Sequence, residues 1–221
     1  ATQYLKSPAR RLWVDLALLT GMRAFEIADF QDIHVIDPSL DNLASYHATI
    51  IGKGNKERQI LIPRTLMQRL WAYKNNNERI SRAIKWEVSN GVDKNKPLFI
   101  NRSGGCVSEK SISNISTFAR KELSQSGIVL NRTFHDLRAT YATNIAKYML
   151  DKGLEPGFIE FKLMSLLGHS NFSTTRKYLN FARAVTFDSE MKGWADTIFD
   201  GIDVRLVGDY QHLLRNENDQ Y

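Results

Sequence analysis

The stretch from Tyr46 to Ile62 limits the fold most. Tyr46–Ile51 and Arg58–Ile62 are short runs containing β-branched and aromatic residues, and Pro63 closes the second. Between them lies Gly52-Lys53-Gly54-Asn55-Lys56, a turn composition. The pattern predicts one β-hairpin. Most of the remaining chain has helical spacing. Leu12, Leu16 and Leu19 recur through Pro8–Thr20, with Pro8 suited to a first turn and Gly21 to a stop. A second helix starts in Met22–Phe30, with Phe25, Ile27 and Phe30 available for burial. Further helices are predicted over Thr65–Tyr73, over Ser108–Ser124 with Ser108 as N-cap, and over Pro156–Leu167 with a stop at Gly168. Thr133 can cap a helix carrying His135 and Arg138, and Ser173 or Thr174 one carrying Tyr178. Pro97–Asn101 is predicted as a short strand, and no element is assigned between Lys74 and Ser89. The expected class is mainly α with a small antiparallel β-sheet, α+β.

Charge separates the chain into two parts. From Ala184 onward eight acids face three bases, a net −5; with +6 overall, residues 1–183 carry +11. A body that basic suits a polyanionic partner, nucleic acid first. Hydrophobic residues are 43% of the 221, enough for a core, and no apolar run has the length of a membrane span. The one cysteine, Cys106, excludes an internal disulfide and fits a cytoplasmic setting.

Four islands carry residues capable of chemistry. Thr20–Ile27 places Arg23 just past a helix stop, with Glu26 three residues on. The hairpin turn places Lys53 at its tip and Lys56 beside it. Phe134–Ala142 holds His135 and Arg138 at i,i+3, hence neighbours on one helix face. Leu166–Phe181 holds His169 nine residues before Tyr178. Together they offer two guanidiniums, an ammonium, two imidazoles and a phenol. That set suits attack on a phosphodiester without a metal: the planar fork of arginine matches phosphate oxygens, and tyrosine supplies a hydroxyl nucleophile. Each such charge interacts by about 4 kcal/mol at ~4 Å and an effective dielectric near 20. Other chemistries lack their residues. The phosphate loop Gly-x4-Gly-Lys-Ser/Thr fails because His47 stands at the first glycine and Gly54 follows Lys53. There is no His-Glu-x-x-His, no clustered acid set for two metals and no Gly-x-Ser-x-Gly.

In this order, from about Pro8 to Ala182, the islands resemble the catalytic domain of the tyrosine recombinase (phage integrase) family. "TGMRAFEI" resembles its first arginine box, "GKGNKER" its lysine hairpin, "HDLRATYAT" its His-x-x-Arg box and "LLGHSNFSTTRKYLNF" the box ending in the nucleophile. The resemblance implies that Arg23 and Arg138 hold the non-bridging oxygens of a scissile phosphate. It implies that His135 assists them and helps manage the nucleophile's proton, and that His169 hydrogen-bonds the phosphate. Lys53 would be the general acid for the leaving 5′-oxygen, chosen over Lys56 by alignment to the family's loop. Tyr178 would attack, leaving a 3′-phosphotyrosyl link, and Glu26 would support the site. No cofactor and no metal is implied. The implied partners are double-stranded DNA and other recombinase protomers in a tetrameric synapse, in a prokaryotic or phage-encoded system.

The resemblance further implies a catalytic domain over residues 1–183, a fragment without the family's amino-terminal DNA clamp. Residues 184–221 form an acidic tail. There Ser189–Phe199 is predicted as a helix with Met191, Trp194, Ile198 and Phe199 as a stripe for docking in cis or on a neighbouring protomer. Two competing readings remain open at this level: a type IB topoisomerase-like enzyme that relaxes DNA, and a DNA-binding regulator without catalysis.

Overall fold

The structure is a computed structural model describing residue 5 and residues 7–92 and 95–185. The tail helix expected over Ser189–Phe199 therefore lies outside the described residues. The chain divides into two compact units, Ala1–Leu179 and Asn180–Tyr221. In the second, residues 180–185 are described and are helical.

The first unit is mostly helical. α1 (Pro8–Thr20) begins on Pro8 and ends at Gly21, whose φ of 66° places it in the left-handed region. It buries Leu12, Trp13, Leu16 and Ala17. Leu19, expected on that face, is 39% exposed; the buried stripe turns through Trp13 and Ala17 instead. α2 (Ala24–Ala28) is one short turn and a half, and it buries Ile27. Phe30 follows it into the core, while Phe25 is half-buried.

The hairpin forms as expected. β1 (Ser45–Gly52) pairs antiparallel with β2 (Lys56–Pro63), in register from Ser45 opposite Pro63 to Gly52 opposite Lys56. Gly54 (φ 77°) and Asn55 (φ 58°) make the turn. Burial alternates along both strands, so Tyr46, Ala48, Ile50, Ile60 and Ile62 share the inner face. Two strands alone are at best marginal in water. Here the inner face joins the core of α1, α2 and α3 (Arg64–Lys74), where Leu16, Ile27, Leu66 and Leu70 are also buried.

Three expectations need correction. Residues Asn77–Asn90 form a helix, α4, capped by Asn76, whose side chain accepts from the Glu78 N–H at 2.9 Å. Its buried face is only Arg79, Ala83 and Trp86; the apolar residues that recur at helical spacing, Ile80, Ile84 and Val88, stay exposed. Pro97–Asn101 is not a regular strand. It makes isolated bridges, Gln31 with Pro97 and Ile100 with Cys106. The helix expected over Ser108–Ser124 is two, α5 (Glu109–Ser113) and α6 (Ile115–Ser124), broken at Asn114. Ser108 does cap α5, accepting from the Ser111 N–H.

α7 (Phe134–Asp151) and α8 (Pro156–Leu167) follow, and residues 172–185 are helical. The turn before residue 172 is closed by Asn171, whose side chain accepts from the Ser173 N–H at 2.9 Å. The cap is thus neither Ser173 nor Thr174. α7 packs on α1 and α8, and α8 also meets β2. No helix among the described residues is long and apolar enough to cross a membrane.

Candidate active site

Three chain segments end beside one another. α1 stops at Gly21 and hands over to Arg23, β2 turns Arg58 inward, and α8 stops at Gly168 in the left-handed region (φ 58°). Close approach demands glycine at both stops. A Cβ on Gly21 would lie 2.5 Å from Tyr141 Cδ1, and one on Gly168 would lie 2.8 Å from Arg58 Cδ.

Glu26 sits at the centre, 2% exposed. Its oxygens accept from the Arg23 backbone N–H (2.7 Å), Arg23 Nη1 (3.0 Å), Arg58 Nη2 (2.7 Å) and Arg58 Nε (3.3 Å). Arg138 Nη1 stands 3.9 Å away. Burial raises the Glu26 pKa, but the hydrogen bond and charge of Arg58, then those of Arg23, outweigh it, and the carboxyl is held below its ordinary value.

Arg58 and Arg138 also donate to backbone carbonyls. Arg58 Nη1 donates to Leu166 and Nη2 to Gly21. Arg138, 1% exposed, donates through Nη1 to Gly21 and through Nη2 to Leu167. Burial first, then the charges of Arg23 and Arg58, push Arg138 down to about 9, still protonated at neutral pH; Glu26 and Tyr178 act in the other direction. Three guanidiniums thus surround one carboxylate. Two positive charges are left over in a largely dehydrated place, which is a preformed demand for an anion.

His169 follows the α8 stop. Its backbone N–H donates to the Met164 carbonyl at 3.1 Å. Its Nδ1 is 2.9 Å from Thr175 Oγ1, and Thr175 is fully buried. Burial, then Arg138, Arg23, Arg58 and His135, push the imidazole down to about 4, so it is neutral at pH 7. The His169 ring stacks on Tyr178 with centroids 6.2 Å apart and 25° between planes. Tyr178 is half-buried against Tyr141, Ala142 and Leu167.

The remaining expected residues lie at the rim. Lys53 is exposed at the hairpin tip. It lines an open groove of 730 Å³ together with Arg23, Lys56, Arg58, His169 and Ser170. Lys56 Nζ donates to Ser170 Oγ at 3.4 Å, directly beside His169. His135 is exposed in the first turn of α7, although its charge reaches His169. That turn is held by Asp136, which accepts from the Thr133 N–H at 2.6 Å and from the Thr133 hydroxyl at 3.0 Å. The structure therefore gathers Arg23, Glu26, Arg138, His169 and Tyr178, with Lys53 on the groove and His135 at the surface.

Two contributors escaped sequence reasoning. Arg58 shares the parity of Ile60 and Ile62, so alternation along β2 already put it inside, where a guanidinium needs a carboxylate. Thr175 had no comparable signal, because its partner His169 is six residues away across a turn.

The model of the phage integrase family matches residues 2–184. Tyrosine recombinase XerC of Caldanaerobacter subterraneus subsp. tengcongensis is 27% identical over 167 residues, 75% of this chain and 39% of the relative. Tyrosine recombinase XerD of Staphylococcus haemolyticus is 30% identical over 177 residues, 78% of this chain and 50% of the relative. The chain thus spans half or less of the length of these relatives. In fold it is similar to the XerH site-specific recombinase bound to palindromic difH substrate in a post-cleavage complex. That match has a TM-score of 0.58 and 18% identity, over 82% of this chain and 44% of the other. It is also similar to the XerA recombinase, at a TM-score of 0.55 and 19% identity over 86% and 61%. With the family model covering most of its length, and the four sequence islands inside that span, the chain belongs to the phage integrase family.

Proposed function

We propose that this chain is the catalytic part of a site-specific DNA recombinase that breaks and rejoins strands through a tyrosyl intermediate. The observation that carries the reading is the arginine trio around Glu26, with its two unpaired positive charges, next to the stacked His169–Tyr178 pair. One scissile phosphate fits there. Arg23 and Arg138 hold its non-bridging oxygens, and neutral His169 donates one more hydrogen bond. Tyr178 Oη attacks phosphorus and its proton passes toward His135. The P–O5′ bond breaks, and Lys53 gives a proton to the departing 5′-oxygen. Attack by another 5′-hydroxyl then reverses the steps. The phosphotyrosyl ester retains the bond energy, so the exchange itself consumes no nucleotide.

Arg138 spends one N–H of each Nη on Gly21 and Leu167, which leaves the second N–H of each Nη and the Nε–H as donors for phosphate. Glu26 keeps Arg23 and Arg58 aligned and does not react. The partners are double-stranded DNA and further protomers in a tetrameric synapse, and the use is integration or excision of a mobile element in a prokaryote or phage. Residues 1–183 are the catalytic domain in this reading, with the acidic segment 184–221 docking in cis or on a neighbour.

The test is a nicked suicide duplex that traps covalent protein. The intact chain should form an adduct, and Tyr178→Phe should bind the duplex equally and form none. An adduct that persists in that variant would refute the assignment. A two-duplex strand-exchange assay separates recombination from simple relaxation.

A further inference from the structure

A second cavity of 670 Å³ lies where α1, α3 and α4 meet, and it shares no lining residue with the groove of the candidate active site. It is lined by Arg11, Arg69, Arg79, Arg82, Arg102 and Tyr73 among others. Three of the five guanidiniums have carboxylates. Arg69 Nη2 stands 2.6 Å from Asp15 Oδ2, a close ion pair without hydrogen-bond geometry. Arg79 Nη2 is 3.0 Å from Asp32 Oδ2, and Arg82 pairs with Glu78.

The other two lack such a partner among the described residues. Among the described residues, Arg11 uses only Nε, donating to the Leu5 carbonyl, and the exposed Arg102 guanidinium has no hydrogen-bond or ion-pair partner. The cavity also holds an orphan: the Tyr73 hydroxyl is buried and makes no hydrogen bond. A buried hydroxyl without a partner is unfavourable, but this one is closed off from solvent and hence from a ligand in the cavity. The arginines are close enough to act on that hydroxyl: burial pushes Tyr73 up, while Arg82 and Arg79 draw it down.

We propose that this cavity binds a phosphoryl group, with the free guanidinium forks of Arg11 and Arg102 as its donors. Phosphate fits these donors better than carboxylate does, because its tetrahedral oxygens can accept from several directions at once. The volume lies within the range of small-ligand sites. Two sources share this chemistry: a free phosphate ester or pyrophosphate, and a DNA backbone phosphate away from the scissile one. The site does not depend on the catalytic reading above, since its occupancy requires no cleavage.

The probes are inorganic pyrophosphate, by calorimetry, and a duplex DNA, by the salt dependence of its binding. Both are measured on the full chain in an Arg23→Ala background, so that the catalytic groove contributes less. The variant is Arg11→Ala with Arg102→Ala, and Tyr73→Phe is the control, because its hydroxyl is sealed from the cavity. Loss of pyrophosphate affinity by tenfold or more in the double variant, with affinity retained in Tyr73→Phe, supports the site. An unfolding midpoint of the double variant, without ligand, equal to that of its parent separates ligand loss from misfolding. If the source is DNA, the log–log salt slope also flattens by about 0.9 for each contact removed. If it is a free anion, the slope is unchanged while pyrophosphate affinity falls. Double-variant protein that binds pyrophosphate as well as its parent, with an unchanged DNA slope, overturns the proposal.

Discussion

Arg58→Met tests whether the site is held by one buried ion-pair network. Arg58 gives Glu26 two of its four hydrogen bonds and also reaches the Leu166 and Gly21 carbonyls. Its side chain is 4% exposed and that of Glu26 0%, so solvent cannot replace what is lost. Removing one partner of a buried pair costs about 3–5 kcal/mol. The cost should depend on pH, with a sign set by Glu26. In the intact chain the folded Glu26 pKa is lowered from 4.5. Its contribution to stability is therefore present above about 4.5 and is lost as pH falls through the folded value. Without Arg58 the largest remaining influence is burial, which raises the pKa. The difference between parent and variant should then be greatest at pH 7 and shrink toward pH 4.5. Urea unfolding at pH 7, 6 and 5 measures it. A difference under about 1 kcal/mol, or one that is the same at all three pH values, would refute the network. A double-mutant cycle with Glu26→Gln should find strong coupling between the two residues.

Other expectations follow from the same geometry. Lys53→Ala should cleave slowly on ordinary DNA and recover much of its rate on a 5′-bridging sulfur substrate, whose leaving group needs no proton. Selective rescue of Lys56→Ala instead would transfer the role to the lysine that meets Ser170. His169, pushed down to about 4, should stay neutral in the free protein at pH 5.5 by ¹⁵N NMR. Because its folded pKa lies below 6.5, its contribution to stability is present above 6.5 and lost as pH falls toward 4. Thr175→Val should disturb its tautomer while Thr175→Ser restores it; an unchanged spectrum in the valine variant would remove Thr175 as the group that sets the ring. Gly21→Ala should destabilise by at least about 1–2 kcal/mol from the left-handed backbone alone. It should also shift Tyr141, which a Cβ would meet at 2.5 Å, and with it the packing of Tyr178.

The hairpin, α1 and the stop at Gly168 were legible because each rests on local rules: alternation, a proline start and glycine stops. α4 had local signals too, Ile80, Ala83, Ile84 and Val88 at helical spacing behind Asn76, although no element is assigned there from the sequence; what the pattern does not show is that Ile80, Ile84 and Val88 stay exposed while Arg79 and Trp86 are buried. Arg79 donates to the Leu98 and Pro97 carbonyls and to Asp32. The same partners explain Pro97–Asn101: its carbonyls serve a buried arginine and isolated bridges in place of a ladder. In the candidate site, residue types and order were legible, but the depth of Arg138 was not. Its i,i+3 relation to His135 suggested two side chains pointing at one spot. α7 instead buries Arg138 against Gly21 and Leu167 and leaves His135 at the surface. Face sharing on a helix fixes direction around the axis, but how far a neighbour covers each residue depends on the loops packed there.

The carbonyls that hold the arginines also set a timetable for synthesis. Arg58 waits for Leu166, 108 residues later, and Gly21 waits 117 residues for Arg138. At about 5–20 residues per second the ribosome takes roughly 5–24 s to cover such intervals. A nascent chain that has made the hairpin therefore carries Arg58 and Glu26 before the α8 terminus exists. The final clasp, Arg138 on Leu167, comes eleven residues before Tyr178 in the order of synthesis. A chain stalled before Leu166 has Glu26 and the Gly21 carbonyl but lacks the Leu166 and Leu167 acceptors and Tyr178. Under the proposed function such a product is unable to nick DNA, because the clasp on Arg138 and the attacking hydroxyl are both still to be made.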